Sequence, residues 1–259
     1  MLDFLNSFIE KTKNFDIFYY GYPIIIKKGR LILKLKLKVL IATAVLCSSL
    51  STVTSNTLAN NKVTTEQQLQ AEWEKEERET QQAIKNFQPT TAEESRKNLE
   101  ALKKMAPEKY EEATKVNILA NSGKMGTVGD ILITYDNKTS VWAHGHAAIV
   151  RDNNDYIVEA WPDVGVRVYQ NNWANRFSTK KKFYVKDASY SKYDSAQKWA
   201  YYQVGDPYSL TATKDSVDKF YCSQLVWKAW NNTGYDLDAD GGQIVTPADL
   251  EEHSLTIAY

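Results

Sequence analysis

Hydrophobic and polar positions divide this chain into three stretches. In the first, a basic run, 27-KKGRLILKLKLK-38, leads into an unbroken apolar one, 39-VLIATAVLCSSL-50. That order is the pattern of a secretory leader, and its apolar part is too short to cross a bilayer comfortably. Small polar residues follow, and Thr57 and Ala59 place the expected cleavage after Ala59. Residues 1–59 are read as the signal region. The stretch ahead of Lys27 is long for such a leader, so either the n-region is extended or translation starts nearer Leu31–Leu35. The alternative is an uncleaved anchor that reaches back through residues 31–38.

The second stretch, 60–122, predicts helices. Residues 62–120 are rich in Glu, Lys, Gln and Ala and contain no glycine. Thr64 with Gln67 and Thr91 with Glu94 fit capping boxes, and Pro107 suits the first turn of a third helix. The first helix, over 65–87, has few apolar positions: Leu69, Trp73, Ile84 and Phe87. It reads as a solvated helix lying on something, or as a spacer.

The third stretch, 123–259, changes character at 121-NSGKMGTVGD-130. Enrichment in glycine, aromatic and β-branched residues predicts strands over 130–136, 146–152, 155–161, 165–170, 182–186 and 254–259. Asn153-Asn154 predicts a tight hairpin. Helical spacing appears over about 193–204 and 221–232. The fold class is α+β: a mostly antiparallel sheet packed with helices, behind a helical N-terminal segment.

Charge and cysteine count narrow the partners. The whole chain carries 32 basic and 32 acidic residues. Without residues 1–59 it keeps 24 and 29, a net charge of −5. Nothing in that balance points to nucleic acid, and once the leader is gone no membrane partner is expected. Of two cysteines, Cys47 lies in the leader, where Leu46 just before it argues against lipidation. A cleaved chain keeps Cys222 alone. Outside the cell a lone thiol is buried and inert, paired to another chain, or used.

Its neighbourhood suggests use. In 221-YCSQLVWKAW-230, Cys222, Leu225, Val226, Ala229 and Trp230 share a helical face, and Ser216 or Asp218 could cap the start. Cys222 would then sit in the first turn, where free N–H groups favour a thiolate and could hold an oxyanion. The plain alternative is a small core residue. A thiol nucleophile needs a base, usually histidine, oriented by a third polar group. His146 opens the strand 146–152, His144 falls in the loop before it, and His253 lies in a polar tail. Glu159, on the next strand, either faces solvent or is buried against a cationic partner such as His146.

Five segments in order, 129-GDILITY-135, 145-GHAAIV-150, 158-VEAWPDVGV-166, 204-VGDPYS-209 and 221-YCSQLVW-227, resemble the circularly permuted papain-fold hydrolases of the NlpC/P60 superfamily, the YiiX/YycO-like group. The likeness covers about residues 126–250. It implies Cys222 as nucleophile, His146 as general base and Glu159 as its orienting group. It also implies that Tyr208 and Trp161 line the substrate site. Gln224 departs from the Glu of many relatives, without an expected effect on the chemistry. The implied activity is a secreted cysteine hydrolase, a thiol peptidase or amidohydrolase, that needs no cofactor or metal and cleaves amide bonds in cell-wall (peptidoglycan) peptides or related small amides. A thiol acyltransferase on the same three residues, a non-catalytic cell-wall binding module, and a metal site using His144 and His146 are the rivals. The last needs a third ligand, and His253 is the only other histidine.

Overall fold

In the computed structural model the described residues are 18–19, 22–23, 55–118, 123–136 and 144–259. The apolar run on which the leader expectation rests lies outside them. Contacts divide the chain into two compact units, 1–59 and 60–259. In the first, Phe18–Tyr19 pairs antiparallel with Tyr22–Pro23. Among the described residues no helix is long and apolar enough to cross a membrane.

The helical stretch forms α1 (Ser55–Asn86), α2 (Ala92–Met105) and α3 (Pro107–Ile118). Thr91 closes the expected capping box with Glu94, and Pro107 opens α3. The box expected at Thr64 does not start a helix, because α1 already runs through it from Ser55. From residue 69 on, α1 turns one face inward: Leu69, Glu72, Trp73, Glu76, Thr80, Ala83 and Ile84 are its covered positions. It lies on the rest of the second unit and is not a free spacer.

Six strands make one antiparallel sheet: β1 (Ile131–Thr134), β2 (His146–Val150), β3 (Tyr156–Trp161), β4 (Gly165–Gln170), β5 (Lys181–Val185) and β6 (Thr256–Ala258), in the order β4-β3-β2-β1-β5-β6. β1 and β2 are buried along their whole length, which is why both read as continuous apolar runs. Helices α5 (Tyr190–Tyr201) and α6 (Cys222–Asn231) supply Tyr193, Leu225, Val226 and Trp230 to the core shared with Ala147, Ile149, Val158 and Ala160. On the opposite face Leu132, Ala148, Val150 and Ile157 pack with Trp173 and Phe177. Two short helices were not expected from the sequence, α4 (Trp173–Arg176) and α7 (Pro247–Glu252), the latter started by a capping box of Thr246 and Asp249.

A buried ion pair ties α3 to the sheet. Lys109 and Asp130 meet at 2.9 Å, both fully buried. Thr127 accepts from the same ammonium, and the Tyr259 hydroxyl donates to Asp130. Removing one member strands the other charge, a loss of about 3–5 kcal/mol. Lys109→Met is therefore expected to lower unfolding stability by about that amount in urea titration. A shift in midpoint no larger than that of a surface lysine variant would show the pair to be incidental.

Candidate active site

The strand order sets the site. β2 and β3 form a hairpin whose turn places Asn154 at a positive φ of 59°. Their register, Ile149 with Val158 and Val150 with Ile157, puts Glu159 on the same face as His146 when carried two residues on. Gly145 lets the chain enter β2 tightly. Its φ is +78°, and a Cβ there would run into the Thr134 carbonyl. His144 precedes that bend and leaves the strand.

His146 Nε2 lies 2.7 Å from Glu159 Oε2. That commits one ring nitrogen to the carboxylate and leaves Nδ1 available to the Cys222 thiol, with which the imidazole interacts. Cys222 is the first residue of α6, and its N-cap, Tyr221, makes no side-chain capping bond. The N-cap is thus Tyr221, not Ser216 or Asp218, and the first-turn N–H groups receive no capping side chain from it. Burial pushes the Cys222 thiol up, but the His146 hydrogen bond and charge, with the Ala147 N–H, bring it below its ordinary value. For His146, burial acts downward and is outweighed by the Cys222 and Glu159 partners, which push it up to about 9. The two shifts favour a thiolate–imidazolium pair at neutral pH.

Glu159 is fully buried and held from both sides. Arg167 donates through Nε and Nη2 to Oε1, at 2.9 and 2.7 Å. Arg176 donates through Nη1 to Oε2 at 2.8 Å. Burial raises its pKa, yet His146 and Arg176 outweigh burial and hold the carboxyl at about 2. Both guanidinium groups lie over the rings of Trp161 and Tyr169. The sequence reading named neither arginine. Arg167 was within reach of it, because it stands directly opposite Glu159 across the β3–β4 hairpin. Arg176 sits on α4, which no periodicity announces.

Trp161 meets the His146 ring edge-on at 5.1 Å, and Trp173 stacks on it at 5.6 Å. Tyr208 is half-buried and packs against the cluster of Cys222, Tyr221, Ala212 and Ile244. Gln224 is buried with its amide donating to the Thr213 carbonyl, so it braces the loop before α6. His144 points elsewhere. Its Nδ1 is 3.3 Å from Thr80 Oγ1, and its ring lies 5.6 Å from that of Trp73, both on α1. The two histidines therefore do not converge on one point. Among the described residues the group with ligand-like spacing is Glu76, Asp240 and Asp249, and neither histidine belongs to it. His253 caps the end of α7.

Comparison with known proteins finds a likeness over part of the chain. Residues 126–241 match the model of a family described as permuted papain-like amidase enzymes, YaeF/YiiX, C92. Among solved structures the chain is similar to the metalloprotein YiiX from Escherichia coli O157:H7, at 16% identity, covering 51% of this chain and 96% of that one with a TM-score of 0.42. No curated protein matches. The fold is α+β and permuted papain-like, and the family description supports an amidase or hydrolase with amide substrates. Cys222, His146, Glu159, Arg167 and Arg176 all fall inside the matched segment.

Proposed function

We propose that this chain is a secreted cysteine hydrolase of NlpC/P60 type that cleaves an amide bond, in cell-wall peptides or related small amides, through Cys222, His146 and Glu159. One observation carries the reading: a buried carboxylate holds an imidazole that interacts with a cysteine at a helix N-terminus. The Cys222 thiolate attacks the carbonyl carbon, and first-turn N–H groups of α6 steady the oxyanion. His146 protonates the departing amine. It then takes a proton from water, which displaces the acyl group from sulfur. Glu159 fixes the imidazole tautomer and offsets its charge. The leader pattern supports export, and the motif order supports the superfamily and cell-wall amides.

The test is an amide panel with cell-wall tetrapeptides and simple acyl amides, run with wild type and Cys222→Ala. Turnover that vanishes in the variant supports the proposal. Turnover that survives overturns it. The pH profile follows from His146. Its raised pKa keeps the leaving-group proton in place through neutral pH, and that proton is lost as pH rises through about 9. Turnover is expected to fall across that point, and an alkaline limb near the ordinary imidazole value would contradict the ion pair.

A further inference from the structure

Cys222 is 1% exposed, and α1 packs on the cluster to which it belongs, beside Tyr208 and Leu210. Leu69 and Trp73 of α1 pack against the cluster that contains Cys222, Tyr221, Ala212 and Ile244. Trp73 also meets the Tyr221 ring edge-on at 5.7 Å. A nucleophile covered in this way cannot receive a substrate, so something above it must move.

The contacts of α1 are unlike those of a core helix. Its inward face is interrupted by Glu72, Glu76 and Thr80. The Glu72 carboxylate accepts from the backbone N–H of Ile244 at 3.0 Å, and from that of Gln243. A Cβ at Gly242 would meet Glu72 Oε1, so the carboxylate would have to shift off these N–H groups. This is a notch fitted to a carboxylate, formed by backbone next to the nucleophile's cluster. Lys75 pairs with Asp240 at 2.5 Å. Glu76, 1% exposed, accepts from Lys75 through Oε1 at 3.2 Å, while its Oε2 has no hydrogen-bond partner; burial and the neighbouring Asp249 push its carboxyl up to about 8. Docking of α1 therefore buries a carboxyl with one oxygen unpaired, a cost that favours a helix that can leave. The helix also lies outside the segment that matches the amidase family.

We propose that residues 69–76 of α1 are a displaceable strap standing in the substrate's place, and that the Gly242–Ile244 notch held by Glu72 is the subsite for a carboxylate of the amide substrate. The inference rests on the thiol-hydrolase reading. It deepens that reading by naming the substrate as an amide that bears a carboxylate.

The test is the rate of iodoacetamide labelling of Cys222 in the full chain. Trp73→Ala is expected to raise it at least about tenfold. Lys75→Glu is expected to raise it as well, and Lys75→Glu with Asp240→Lys to restore the slow rate. The charge pair decides the matter if Trp73→Ala does not fold. In the opened Lys75→Glu protein, succinate should slow labelling and its dimethyl ester should not. Gly242→Ala should speed labelling and also abolish protection by succinate. Unchanged labelling in the folded variants overturns the strap, and succinate protection that survives Gly242→Ala overturns the subsite. The hydrolase reading fails separately, if opened proteins label quickly yet Cys222→Ala leaves amide turnover intact.

Discussion

His146→Ala is expected to abolish amide turnover, a fall in kcat/KM of about 10⁴-fold or more, while His144→Ala keeps at least the wild-type rate. The two side chains are two residues apart and do different things. His146 holds Glu159 through Nε2 and interacts with the Cys222 thiol. Losing it leaves Cys222 without its principal stabilising charge, so burial dominates and the thiol returns to the neutral form. His144 is held below the ordinary imidazole value by burial and is engaged with α1, not with the reacting atoms. Steady-state kinetics of both variants, with thermal unfolding as a control, checks this. A His144→Ala enzyme as inactive as His146→Ala would break the division of roles.

Glu159→Gln is expected to lower kcat by about 10²–10⁴-fold even though the side chain keeps its shape. The carboxylate offsets an imidazolium and two guanidinium groups in a buried site. An amide cannot, so the His146 pKa should drop from about 9 and the thiolate should be lost with it at neutral pH. Imidazole titration by NMR and the pH dependence of thiol alkylation both report this. The variant should also be less stable, since Arg167 and Arg176 lose their shared partner. An unmoved His146 titration would reduce Glu159 to a packing role. The wild type carries the matching acid signature. The Glu159 carboxyl is depressed from 4.5 to about 2, so its stabilisation is complete above 4.5 and disappears as pH falls through about 2.

Much of the frame was legible because its signals were local. The buried strands β1 and β2 read as apolar runs, the Asn153-Asn154 turn fixed the hairpin, and α6 declared its inner face at helical spacing. What the sequence left open about Glu159 was settled by partners it could not display. A carboxylate in an apolar strand is either outward or paired, and the choice depends on Arg176, brought in by a four-residue helix too short to show a period. The placement of α1 was hidden for a related reason. Its inward face is half polar, so its burial depends on backbone amides at residues 243–244 and on the pairing of Lys75 with Asp240. Neither leaves an amphipathic mark.

The β2–β3 hairpin also bears on the order of assembly. His146 and Glu159 are 13 positions apart across one tight turn, so their pairing needs only a short loop to close. Cys222 arrives much later in the chain and reaches them only when α6 docks on the sheet, a non-local step that folds more slowly. Until then its thiol keeps the acidity of any free cysteine and is a poor nucleophile at neutral pH. Reactivity is thus the last property the chain acquires. A chain that has not yet folded therefore carries no activated thiol to turn on its neighbours.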